Sequence, residues 1–271
     1  MDYQLAWQSF YQEINRADED IDLAKASLYY AQAEYPNLKL QNYLNILDTM
    51  AEEIQTKLPQ NRYPLKVINT INQYLFDDLQ FQGNDQDYYN PANSFLNEVI
   101  ERRTGIPISL SVLYLEIAKR INFPMVGIGM PGHFLIRPEF EEAGIFIDVF
   151  NQGEILFQQD CAERLQQLYP HPIELEPRFL AAVSSRQILA RMLTNLKYIY
   201  LNRKQFSKVL ATIDGILMLF PDNPNELRDR GLLYYELDQW DQACLDLEYY
   251  LAMLPNAEDA DMIRLLLAKI R

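Results

Sequence analysis

Apolar residues recur at helical spacing through the first third of the chain. Ile21, Ala24, Leu28 and Ala31 form one stripe ending near Pro36, and Asp18, Glu19 and Asp20 are placed to supply anions to that helix's N-terminus. A second stripe uses Tyr43, Leu44, Leu47, Met50, Ala51, Ile54 and Leu58 and stops at Pro59; a third starts at Pro64 and runs through Leu65, Ile68, Ile71, Leu75 and Phe76. These spacings predict core-facing helices over residues 2–80. Nothing in them suggests chemistry. Gly83 to Asp87 is a turn-rich break.

The pattern then changes. Phe95–Thr104 is amphipathic, Gly105-Ile106-Pro107 interrupts it, and Ser109 through Ile121 is strongly helical, with Pro107 suited to the first turn. After Pro124, Met125–Ile128, Phe134–Ile136 and Ile145–Phe150 have strand character, punctuated by Gly144 and Gly153. A helix followed by antiparallel strands predicts an α+β core inside a mainly helical chain.

The last stretch repeats itself. Leu193, Tyr200 and Pro221 recur as Leu227, Tyr234 and Pro255, each 34 residues on, a period that resembles the tetratricopeptide pattern. Gly231 and Ala243 match its small-residue positions, where the first copy has Lys197 and Val209. The implied organisation is a helical region over 1–83, an α+β core over 84–168, a connector over 169–185 marked by Pro170, Pro172 and Pro177, and two repeats over 186–271. Repeats of this kind bind protein segments, so a protein partner is expected there. Thr194 and Tyr198 stand where chaperone-binding repeats place bases to grip a carboxylate, so that particular ligand is not expected.

Charge narrows the partners. The chain carries −14 overall, and its first 180 residues account for −13, against the basic face that a nucleic-acid binder needs. No nucleic acid is expected. Between Arg186 and Lys208 six bases occur with no acid among them. This stripe is either a helix face complementing the acidic remainder of the chain or a docking stripe for an acidic partner. Two cysteines, Cys161 and Cys244, and two histidines, His133 and His171, are too few for a disulfide framework or a thiolate metal site. No cofactor or metal is expected. With no apolar leader after Met1 and no 18-residue apolar run, a cytoplasmic protein without membrane association is expected.

The candidate chemistry lies in three phrases: Gly105-Ile106-Pro107-Ile108-Ser109-Leu110, Pro131-Gly132-His133-Phe134-Leu135, and Ile147-Asp148. They resemble the bacterial SirB-type family, whose core is similar to transglutaminases, and the helical leader and repeat tail also suit that family. The resemblance implies a transglutaminase-like (papain-like) helix-plus-sheet core. In that pattern a Gly-x-Cys opens a helix, a His follows on one strand and an Asp on the next. The helix N-terminus lowers the thiol's pKa, the imidazole takes its proton, and the carboxylate orients the imidazole. Here His133 and Asp148 match the last two members, and Pro107 stands at the cysteine's place.

Three readings follow. The leading one is a non-catalytic transglutaminase-like protein whose repeats serve protein interaction or regulation. The second is a hydrolase or acyl transferase using Ser109, His133 and Asp148; against it, Ser109 sits where a serine caps a helix. The third is a peptide or small-molecule binder at the relic cleft. Asn97, Arg103, Arg137, Arg191 and Tyr198 are candidate ligand or partner contacts, with structural locks as the alternative for Asn93, Asn97, Arg103 and Arg137.

Overall fold

In this computed structural model the helix α6 (Pro107–Arg120) is buried from Pro107 to Ala118, as an apolar segment with no polar face must be. The structure describes residues 3–140, 144–168 and 173–270. Pro170, His171 and Pro172 of the expected connector lie outside the described residues. The chain divides between Met192 and Leu193 into two compact units.

The first unit opens with four helices, α1 (Tyr3–Ile14), α2 (Leu23–Glu34), α3 (Leu40–Lys57) and α4 (Pro64–Asn72). The third apolar stripe continues past α4 as a π-helical turn, Gln73–Asp78. Next come the short strand β1 (Gln82–Gly83), the helix α5 (Leu96–Arg102) and β2 (Thr104–Gly105), which pairs parallel with β1. Helix α6 packs against α2, α3 and α5, and also against two strands of the main sheet, β3 (Met125–Ile128) and β4 (Leu135–Pro138).

The sheet is completed by β5 (Phe146–Asp148), β6 (Glu154–Leu156) and β7 (Ala182–Val183), and its order is β6-β5-β4-β3-β7 with every pair antiparallel. The α+β core therefore stands as the sequence predicts, with two further edge strands. Ile128, Met130, Leu135, Phe146 and Leu156 form a cluster closed by Cys161 from α7 (Gln158–Leu168) and by Leu175 and Leu180.

One anion works elsewhere than expected. Asp18 does not serve α2, whose cap is Asp22 accepting the Lys25 N–H at 2.9 Å. Asp18 instead accepts the N–H groups of Ser185 at 2.8 Å and Arg186 at 3.0 Å, at the start of α8 (Ser185–Asn202). A carboxylate there satisfies two donors that the helix cannot, and meets the positive end of its dipole.

The second unit holds the end of α8, then α9 (Phe206–Leu219), α10 (Pro224–Glu236), α11 (Trp240–Met253) and a further helix, α12 (Ala260–Ile270). Pro221 and Pro255 follow α9 and α11, as the repeat requires. A Cβ on Gly231 would lie 2.7 Å from Leu247 Cγ, so only glycine lets α10 and α11 approach this closely. At the matching position of the first copy, Lys197 is buried and its Nζ reaches Glu226 at 2.6 Å and Asp229 at 3.1 Å. Tyr200 is buried, whereas its counterpart Tyr234 is half-buried under the Arg230 guanidinium.

The basic stripe is largely spent inside each unit. Arg186 donates to the Ile14 and Arg16 carbonyls, Arg191 to the Met130 and His133 carbonyls, and Lys197 to Glu226.

Candidate functional site

The start of α6 is built by backbone economy. Pro107 sits at the first helical position, where its missing N–H costs nothing. The Ser109 hydroxyl, two residues on, reaches back to accept the Ile106 N–H at 3.1 Å and donates to the Asn93 carbonyl at 2.6 Å. Gly105 leaves room for this, since a Cβ there would lie 2.8 Å from Ser109 Oγ. Asn93 is itself locked: its amide donates to the Asp87 and Tyr88 carbonyls and its oxygen accepts from Asn84 at 3.1 Å. Ser109 is fully buried, and His133 is not among its partners.

His133 enters β4 from a tight turn in which Gly132 takes a φ of +72° and the His133 N–H closes on the Met130 carbonyl at 3.1 Å. Its Nε2 lies 2.8 Å from Asp148 Oδ2. Asp148, at the end of β5, has no exposed surface, and its carboxylate is crowded with donors. The Arg164 guanidinium from α7 pairs with the same Oδ2, Asn151 Nδ2 donates to it at 2.9 Å, and the Asn151 N–H reaches Oδ1 at 3.3 Å. Arg164 also binds Glu154 at 2.7 Å.

Asp148 Oδ2 already accepts from Arg164 and Asn151, so His133 Nε2 carries the proton and donates to it, leaving Nδ1 as the acceptor. Burial pulls the imidazole's pKa down from 6.5 to about 4, and the charges of Arg164 and Arg191 push the same way. His133 is therefore neutral at pH 7 and a weak base. Arg191 caps the arrangement from α8, donating to the His133 carbonyl at 2.8 Å and lying over the Phe134 ring at 5.4 Å.

The remaining candidates are not gathered around this pair. Asn97 is buried, with its amide 3.4 Å from Glu98 and no partner for its oxygen among the described residues. Arg103 adopts φ +53° at the end of α5 and donates to the Leu79 carbonyl. Arg137 is buried and donates to the Pro138 and Glu139 carbonyls. Tyr198 is 57% exposed and belongs to the second unit. Cys161 is fully buried in the cluster beneath the sheet, which pushes its thiol up to about 11 and keeps it protonated. Among the described residues, no group of three or more His, Cys, Asp or Glu side chains could hold a metal ion.

Sequence reasoning missed Arg164 and Asn151. The Asp148-to-Asn151 spacing followed by Gly153 is a turn signal that pointed to Asn151; Arg164 had none. It also missed an aromatic group that includes Phe150, two residues past Asp148, with Tyr88 5.3 Å from Tyr89 and 6.1 Å from Phe150 between ring centres. Burial pushes the Tyr88 phenol up from its ordinary value, against the opposing pull of the Arg191 charge.

A family model described as transglutaminase-like superfamily matches residues 41–194, and one described as tetratricopeptide repeat matches residues 196–268. A UPF0162 protein of Xylella fastidiosa is 37% identical over 254 residues, covering 91% of this chain and 89% of the relative. A UPF0162 protein of Vibrio cholerae is 29% identical over 255 residues, with 93% and 94% covered. F-box only protein 21 of Homo sapiens is 31% identical over 188 residues, which is 65% of this chain and 29% of that protein. No solved structure matches the chain. With its buried helix opening at Pro107, its His133–Asp148 pair and these matches, the chain belongs to the transglutaminase-like superfamily, alongside the UPF0162 proteins.

Proposed function

We propose that this protein is a transglutaminase-like factor without acyl-transfer chemistry that acts by holding a protein partner on its tetratricopeptide unit. The observation that carries the reading is where the Ser109 proton goes: to the Asn93 carbonyl at 2.6 Å, with His133 engaged by Asp148 instead. A general base near pH 7 needs a pKa close to that value and a hydrogen bond to its nucleophile. Burial and two arginines hold His133 near 4, and Pro107 offers no nucleophile. The His133–Asp148 pair then serves the fold. A cytoplasmic setting belongs to the same reading, supported by two cysteines that are both free. No helix among the described residues is long and apolar enough to cross a membrane.

Two measurements on the full chain test it. Esters, thioesters and amine incorporation into protein-bound glutamine should show no turnover above the blank. Turnover abolished by Ser109→Ala, in protein that circular dichroism shows is still folded at the assay temperature, would restore the hydrolase reading. Cross-linking in native lysate, read by mass spectrometry, should place partner peptides on residues 193–270; cross-links confined to residues 3–192 would remove the repeats from the function.

A further inference from the structure

The two repeats present one structural turn twice with opposite charge. In the first, the N–H groups of Arg203, Lys204 and Gln205 bond to the carbonyls of Ile199, Leu201 and Tyr200. In the second, Leu237, Asp238 and Gln239 bond to Leu233, Tyr235 and Tyr234, each partner displaced by 34 residues. Lys204 and Asp238 take matching left-handed φ values of 54° and 56°. The first turn carries Arg203, Lys204 and Lys208 and no acid; the second carries Glu236, Asp238 and Asp241 and no base.

The turn itself demands neither sign. Each joins the C-terminus of one helix to the N-terminus of the next, so the two helix dipoles oppose one another there. Lys204, Glu236, Asp238 and Asp241 are all exposed, and among the described residues none of their side chains makes an ion pair. Helices alternate in direction through the repeats and α9 packs on α10, which puts both turns at the same end of the unit. Apolar surface accompanies them: Leu201 is 45% exposed before the first turn, and Trp240 is 39% exposed after the second, its ring edge-on to Tyr235 at 5.3 Å.

A wholly acidic segment laid along this end would be repelled by the second turn, and a wholly basic one by the first. A matching partner carries both signs in reverse order, which is what a second copy turned about a two-fold axis presents. We propose that two copies of this protein pair across this end, the Lys204 turn of each meeting the Asp238 turn of the other, with Leu201 and Trp240 supplying the apolar contact. The charges set register and the exposed rings and leucine supply burial, the usual division at an interface.

Sedimentation equilibrium of the full chain tests the pairing. At about 50 mM salt a concentration-dependent dimer is expected, weakening as salt rises because the pairs are exposed. Lys204→Glu should raise the dissociation constant by about tenfold or more, and so should Glu236→Lys with Asp238→Lys. An equimolar mixture of the two variants should associate as the wild type does, because each reversed turn then meets its complement. Melting curves check that both variants fold. A wild-type monomer at about 100 μM, a dimer indifferent to both reversals, or a mixture that fails to recover would each overturn the proposal.

Discussion

The Ser109 hydroxyl and the Asn93 carbonyl meet at 2.6 Å across a fully buried contact that ties the first turn of α6 to the segment before α5. Removing it leaves the Asn93 carbonyl and the Ile106 N–H without that partner. Ser109→Ala should therefore destabilise the protein by ~1–3 kcal/mol in urea unfolding, the usual cost of buried groups left unsatisfied. A melting curve that does not move would show that the hydroxyl is dispensable to the fold.

Asp148 holds His133, Arg164 and Asn151 together. Asp148→Asn should cost about 3 kcal/mol, because the Arg164 charge loses its buried counter-ion. Adding Arg164→Met should recover part of that loss, since in the single variant the guanidinium keeps only the half-exposed Glu154 carboxylate. If the double variant is no more stable than the single one, Arg164 is not paired with Asp148 in the way described.

The depressed His133 pKa has a direction in pH. With a folded value near 4 and an unfolded one of 6.5, the unfolded chain binds more protons between these values. The stabilisation is complete above pH 6.5 and is lost as pH falls toward 4, by on the order of 3 kcal/mol. His133→Gln should flatten that slope. In nuclear magnetic resonance the His133 ring should remain neutral at pH 5.5; an imidazolium signal there, assigned by loss in the variant, would contradict the burial and charge argument.

Gly231→Ala tests the repeat packing. Alanine favours a helix interior by about 1 kcal/mol over glycine. Here its Cβ would meet Leu247 Cγ at 2.7 Å and Asp246 Cβ at 3.1 Å, and overpacking of ~1–3 kcal/mol should win. Net destabilisation is expected, and the further change Leu247→Val should relieve some of it. A stabilised Gly231→Ala protein would mean that α10 and α11 separate freely.

What was legible in the sequence was local. The period of α6, the Gly105–Pro107 break and the strand at Met125–Ile128 follow from spacing and turn chemistry within a dozen residues. The His133–Asp148 pair came from a family resemblance, and the structure joins it at 2.8 Å. Partners distant in sequence left no trace. Asp18 looked like an anion for the nearest helix and caps one 167 residues away, and Arg186, Arg191 and Lys197 looked like a stripe and are mostly consumed by carbonyls and carboxylates. β6 and β7 are three and two residues long, too short to alternate. Tyr234 matched Tyr200 in register but is only half-buried, because burial depends on neighbours that periodicity does not report.

The bond from Asp18 to the start of α8 also orders events during synthesis. The carboxylate leaves the ribosome early, and the N–H groups of Ser185 and Arg186 that it satisfies emerge only after the whole sheet has been made. Closing so long a loop costs little more than closing a short one, but contacts this distant in sequence form late. The first two donors of α8 thus depend on a carboxylate 167 positions earlier in the chain, so the helix that leads into the repeats is capped only where the helices around Asp18 are in place.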